Sequence, residues 1–405
     1  MQRIIVKNFG PIKDIDLEIK DYMIFLGPQA AGKSTLAKLI YFFREIEYNI
    51  ILLSVKEEDN IINTETATRN LNEVINKRLY QLFGDYTFTE EISICFQYGD
   101  RSQLDNVFIA FDKREQVFLT TNINIKFLEK RKTKDYRSIL FDKLLLLSQQ
   151  PKSTYFIPSN RAFIAKNYVP ASTDVLSKEF YDFIGEIKNS FRKDYYAQID
   201  EKKFFNGEIK NLNSIELSLK LINSVLRGKF TVENQEEKII SNNGFQISLR
   251  SAASGQQESI WVMNTVFHLL LENKETKTII EEPEAHLFPE AQKDITYLIS
   301  LLANQEGNQV IITTHSHYIL GALNILINAH RIGQTNPEEV EEIIPKELWV
   351  DKNRLFAGFM ENGGIKNIYD DEAEMIKIQQ LNAVAGEINR DFDRLLDLEF
   401  ANEKA

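Results

Sequence analysis

The chain has 405 residues, 59 of them acidic against 48 basic, for a net charge of −11. That balance excludes a protein coated over its whole surface in nucleic acid, although it leaves room for a local basic groove. No apolar run approaches the roughly 18 residues that cross a bilayer, so no membrane partner is expected, and the single cysteine, Cys95, excludes an intrachain disulfide and makes a cytoplasmic location the expectation.

The opening segment Met1–Val6 reads as a strand rather than a signal peptide. Three short strands are predicted at Ile4–Phe9, Asp16–Ile19 and Tyr22–Leu26, with Gly10-Pro11 as the first turn. Apolar residues then recur at helical spacing from Leu36 to Leu53 and from Ile62 to Phe83. Alternation takes over at Ile92–Phe96, Val107–Phe111 and Val117–Thr120, which predicts an antiparallel layer. Lys126 to Arg137 is a basic stretch with Phe127 and Tyr136 interleaved, read first as a solvated charged helix and second as a phosphate contact. Tyr155–Pro158 reads as a core strand, residues 174–227 as helical, and Gly228–Arg250 as three short strands with a turn at Asn242-Asn243-Gly244. Ser254–Leu271 reads as one helix. Lys277–Glu281 and Gln309–Thr313 are apolar runs of the kind found in parallel strands buried on both faces, with a helix from Pro289 to Asn304 between them. Trp261 and Trp349 are expected in the core or at an interface. The tail carries a hairpin signal at Asn362-Gly363-Gly364 and then a charged helix.

Gly27-Pro28-Gln29-Ala30-Ala31-Gly32-Lys33-Ser34 is a complete G-x-x-x-x-G-K-[ST] loop between a strand and a helix that opens at Thr35. Its glycines let successive N–H groups face a phosphate chain, and the helix N-terminus adds partial positive charge. Lys33 is the candidate for the β/γ-phosphates, and Ser34 for Mg²⁺.

Three further constellations follow. Thr278–Glu282 is a β-branched strand running into two adjacent carboxylates, Glu281 and Glu282, one to orient Mg²⁺ and the other to polarise the attacking water. Their division of labour is expected from strand alternation. His315, at the end of the next apolar strand, is placed to donate to a γ-phosphate, whereas His286 is read as positioning a neighbouring loop. Ser254-Gly255-Gln256 opens a helix as a second anion site; by itself the segment reads equally well as a helix N-capped by Ser254.

In this order the pieces resemble the ABC-class ATPase heads, in the branch of the overcoming-lysogenization-defect (OLD) ATPases and the SMC- and Rec-like proteins. Gly27–Ser34, Ser254-Gly255-Gln256, Glu281–Leu287, His315 and the opening Asn8–Ile12 carry the resemblance, and Tyr155–Arg161 falls where the family has its Q-loop. It implies an α/β P-loop NTPase of ABC head type, with a mostly parallel core sheet, an N-terminal antiparallel layer and helical insertions. One head is expected over 1–405, with a core lobe of about 1–53, 91–160 and 272–345. The insertions are 54–90 and 161–250, the latter leading to a signature loop at 251–258, and 346–405 completes the head.

The resemblance also implies that Glu281 supports the metal, that Glu282 is the general base, and that two copies sandwich two ATP molecules, with Ser254 and Gly255 of one copy closing on nucleotide held by the other. Leu287 and its neighbours would form the D-loop between sites. Ala253 stands where the usual signature serine would be, the Q-loop has no glutamine, and Glu281 replaces the usual aspartate; slow, switch-like hydrolysis is therefore expected. No C-terminal Toprim nuclease is expected, because Asp370-Asp371-Glu372 reads as a solvated turn and Asp391 and Asp393 as an exposed helix face. The expected function is an ATPase that acts as sensor or scaffold for a separate nuclease or toxin in anti-phage defence. The alternative is a DNA-repair ATPase that clamps nucleic acid, and a transporter subunit ranks third.

Overall fold

The computed structural model describes residues 2–56, 64–84, 91–99, 104–112, 117–125, 154–166, 170, 173–188, 199, 209, 211–233, 236–377 and 390. The basic stretch Lys126–Arg137, the final charged helix with Asp391 and Asp393, and much of 189–210 lie outside the described residues.

The strands are β1 Gln2–Phe9, β2 Ile12–Ile19, β3 Tyr22–Leu26, β4 Ser93–Gln97, β5 Leu104–Asp112, β6 Val117–Ile125, β7 Thr154–Ile157, β8 Gly228–Glu233, β9 Glu236–Ser241, β10 Gln246–Ser248, β11 Lys277–Glu281, β12 Gln309–Thr314, β13 Leu355–Glu361, β14 Gly364–Asn367, β15 Tyr369–Asp370 and β16 Met375–Ile376. The helices are α1 Lys33–Lys56, α2 Thr64–Phe83, α3 Ala162–Ala165, α4 Val175–Lys188, α5 Leu212–Leu226, α6 Ser254–Glu272, α7 Pro289–Asn304, α8 His317–Gly333 and α9 Pro337–Ile343. α8 and α9 have no counterpart among the sequence expectations. β2 begins at Ile12 rather than Asp16, because the β1–β2 hairpin closes directly at Phe9↔Ile12.

A six-stranded sheet runs β14-β13-β3-β12-β11-β7, with all neighbours parallel except β13–β14. The three C-terminal ends that matter are adjacent: Leu26 is in register with Thr314, and Thr313 with Glu281. The loops carrying residues 27–34, 282–286 and 315–316 therefore leave the same edge of one sheet, the usual ligand edge of a parallel α/β fold. A five-stranded antiparallel sheet, β2-β1-β4-β5-β6, forms a second layer, and β10-β9-β8 a small third.

β3 shows how the two-residue period sorts the core. Met23 and Phe25 join the apolar cluster of α1 and the antiparallel sheet, whereas Tyr22, Ile24 and Leu26 join the cluster of α5, α6, α7 and α8. Both faces are covered, which is why all five residues of this strand are buried and apolar. Trp261 is fully buried and Trp349 nearly so, as expected. Both hairpin signals are turns: Asn242–Gly244 precedes β10, and Asn362–Gly363 joins β13 to β14.

Candidate active site

The phosphate loop is held open by packing. Gly27, at φ 152°, has no room for a Cβ, which would collide with the main-chain oxygen of Met360 on β13. Gly32, at φ 100°, faces Ile12 and Pro11 of the β1–β2 hairpin, where a Cβ would stand 3.2 and 3.3 Å from their side-chain carbons. The first hairpin and the last strands of the core sheet thus mould the loop between them. Pro28, Gln29 and Ala30 are exposed, Ala31 is partly covered, and Ser34 at the head of α1 is exposed beside a half-buried Thr35.

Lys33 is buried and folds back over its own loop: Nζ donates to the carbonyls of Gly27 and Pro28, both at 2.8 Å. Burial lowers its pKa, against the opposing pull of Glu282 and Glu284. A phosphate oxygen offers this ammonium a stronger acceptor than two neutral carbonyls.

Glu281 is buried at the end of β11. Its Oε2 accepts the Ser159 amide at 3.3 Å, and its Oε1 has no partner among the described residues. A buried carboxylate oxygen without a donor suits a hard cation. Mg²⁺ is commonly held by one or two protein ligands together with phosphates and water, which the exposed Ser34 hydroxyl and this oxygen can supply. Among the described residues no cluster of three His, Cys, Asp or Glu side chains forms a metal cage.

Glu282 departs from the expectation of strand alternation. The strand stops at Glu281, and Glu282 takes a left-handed backbone, φ 44°. Its amide donates to Thr313 at 2.9 Å and its carbonyl accepts Arg161 Nη2 at 2.9 Å. The two carboxylates separate because the chain turns between them, not because they share one straight strand. Glu282 Oε1 lies 3.6 Å from Nε2 of the exposed His315.

Glu284 organises the histidine loop, a part that sequence reasoning did not give it. Its Oε1 accepts the Thr314 hydroxyl at 2.6 Å and the His315 amide at 2.9 Å. Burial raises its pKa, partly countered by those two hydrogen bonds. The signal was the third carboxylate of Glu281–His286, three residues beyond Glu281. His317 opens α8 with its ring 4.0 Å from that of Tyr318.

The signature segment corrects one expectation. The N-cap of α6 is Ala253, and Ser254 is the first helical residue, exposed. Ala253 offers no side-chain acceptor, and its amide donates instead to Gln256 Oε1 at 3.2 Å. Gln256 Nε2 donates to the Leu226 carbonyl at 2.8 Å, so both ends of this amide are engaged within the chain. Gly255 is pressed against the loop at His286 and Leu287, where a Cβ would stand 2.5 Å from the His286 carbonyl oxygen. His286 reaches the signature helix, with Nε2 3.5 Å from Glu258 Oε1. Ser254, Gly255 and Gln256 line a cleft of about 910 Å³ with Leu226, Arg227 and Phe288, and no residue of the phosphate loop lines it.

A phosphate loop leaving the central strand of a parallel sheet, acidic and histidine loops on the strands beside it, and an antiparallel layer over α1 define a P-loop NTPase of ABC-ATPase head type. The chain matches the family described as AAA ATPase domain over residues 1–179 and 164–320, and it belongs to that family. No curated protein matches it. Among solved structures it is similar to an SMC head bound to the C-terminal winged-helix domain of ScpA, at 12% identity and TM-score 0.44, covering 92% of this chain and 98% of that one. It is also similar to the SMC head domain from Thermotoga maritima, at 11% identity and TM-score 0.37, covering 90% and 97%. A bacterial ABC transporter cassette in dimeric form is similar at 11% identity and TM-score 0.33, again covering 90% and 97%. No described helix is long and apolar enough to cross a membrane.

Proposed function

We propose that this chain binds Mg²⁺ and ATP and hydrolyses the nucleotide slowly between two copies of itself, and that the closed state controls a separate effector protein. The observation that carries the reading is the separation of the half-sites. Lys33, Glu281, Glu282 and His315 leave one sheet edge, whereas Ser254 and Gly255 open onto a cleft that no phosphate-loop residue lines. A second copy is the natural source of the missing half.

In this reading the amides of residues 27–35 cradle the phosphates and Lys33 swings from its two carbonyls to the β/γ oxygens. Mg²⁺, when bound by Ser34 and Glu281, supplies charge neutralisation at the phosphates. Glu282 accepts the proton of the attacking water, and His315, 3.6 Å from that carboxylate, donates to the γ-phosphate. Ser254, Gly255 and Gln256 complete the site from the partner copy, with Gln256 acting through the fold of the loop. The OLD-like branch, a nuclease or toxin as effector and a role in anti-phage defence belong to the same proposal, on the strength of the Glu281–Leu287 motif.

Glu282→Gln removes the proton acceptor and keeps the shape of the site. With Mg²⁺ and ATP this variant is expected to double its mass by light scattering and to release no phosphate. A mass unchanged by ATP would sink the two-copy reading.

A further inference from the structure

Arg161 is fully buried, yet every hydrogen bond it makes goes to a main-chain carbonyl. Nε donates to Glu258 at 3.1 Å; Nη1 to Pro158 and Glu281 at 2.9 Å and to Ser159 at 3.4 Å; Nη2 to Glu282 at 2.9 Å. These carbonyls belong to three segments: the turn after β7, the first turns of the signature helix α6, and the end of β11 with the residue that follows it. A planar fork with five donors can span them; the single point of a lysine ammonium cannot.

The placement bears on both half-sites. Glu282 sits in a left-handed conformation that non-glycine residues adopt at a cost, and it is pinned on both sides, by Thr313 at its amide and Arg161 at its carbonyl. On the far side of the same guanidinium is Glu258, whose carboxylate approaches His286, whose carbonyl in turn abuts Gly255. A tilt of α6 at its signature end must therefore move the carbonyl that Arg161 holds, and with it the backbone of Glu282.

We propose that Arg161 is a positioning residue that couples the signature helix to Glu282, so that seating the signature loop on a second copy's nucleotide sets the geometry of the proton acceptor. This rests on the reading of hydrolysis between two copies.

The test uses the full chain with Arg161→Lys and Arg161→Gln, following steady-state ATP hydrolysis, binding of a fluorescent ATP analogue and thermal melting. In Arg161→Lys, kcat is expected to fall at least about tenfold while the KM for ATP stays within about threefold. Hydrogen exchange in the Glu282→Gln background supplies a second readout. Adding ATP is expected to protect residues 281–286 when Arg161 is present; with Lys at 161 that protection is lost while protection at 27–35 remains. A kcat within about twofold of the parent in a folded variant overturns the proposal. So does a parallel loss of melting temperature, ATP affinity and kcat, or failure of both variants to fold, since each makes Arg161 a structural residue only. A parent that hydrolyses no ATP overturns the functional reading and this proposal together, whereas an active parent with unaffected variants overturns this proposal alone.

Discussion

Glu284 Oε1 accepts the main-chain amide of His315 at 2.9 Å, and the same oxygen accepts the Thr314 hydroxyl at 2.6 Å. The loop at the end of β12 is thereby tied to the loop at the end of β11 by a carboxylate rather than by the sheet. Glu284→Ala leaves a hydroxyl and an amide without their acceptor, a cost of roughly 1–3 kcal/mol when such groups are buried. The variant is expected to melt several degrees lower and to lose more kcat than ATP affinity, because His315 is released while the phosphate loop is untouched. Melting curves and steady-state kinetics check both.

Lys33 donates only to carbonyls of its own loop in this structure. Lys33→Met keeps most of the length of the side chain and removes the charge. A charge-assisted hydrogen bond is worth about 1.5–3 kcal/mol, so ATP affinity is expected to fall about tenfold to a hundredfold. Stability should fall modestly, since Met fills the buried space but leaves the Gly27 and Pro28 carbonyls without their donor. Titration with a fluorescent ATP analogue and a thermal melt separate the two effects.

Gly255→Ala tests the contact between the start of α6 and the loop at His286 and Leu287. The added methyl would stand 2.5 Å from the His286 carbonyl oxygen and 3.3 Å from Leu287 Cδ2. Overpacking against backbone costs roughly 1–3 kcal/mol, and the helix propensity gained by replacing glycine returns about 1 kcal/mol of it. Melting is expected to drop by only a few degrees, whereas ATP-driven association of the Glu282→Gln background drops sharply. Light scattering over a concentration series measures the association.

The turn between β15 and β16 supplies a pH prediction. The Asp370 carboxylate accepts the amides of Ala373 and Glu372 and pairs with Lys377, and these contacts, the Ala373 amide foremost, lower its pKa below the ordinary 3.8. A depressed carboxylate stabilises the folded state above its unfolded pKa. The benefit is lost as pH falls below 3.8 through the lowered value. The melting difference between parent and Asp370→Asn should therefore be constant at neutral pH and shrink toward zero in that acidic window. A difference independent of pH would contradict it.

Much of the site was legible because its motifs are local. The loop at Gly27–Ser34, the strand ending at Glu281 and the strand leading to His315 each announce themselves by composition and period within about ten residues. α8 was missed although Ser316 caps it, because Thr313–His317 was read for its histidine and not as the start of a helix. The alternative of a Ser254 cap on α6 rested on Ser254 being a good capping residue in isolation; the helix starts one residue earlier, at an Ala253 cap whose amide is held by Gln256.

By itself, then, the sequence determined the class of chemistry: a phosphate loop with its lysine, two successive carboxylates and a terminal histidine have few other uses in that order. Tertiary structure alone decided how they act on one another. Beside the left-handed turn at Glu282, the carboxylate bridge from Glu284 to His315 and the guanidinium of Arg161 set among carbonyls of three segments join residues 31 to 121 positions apart. Such contacts depend on which strands lie side by side, and strand order follows from packing over the whole chain rather than from any local pattern.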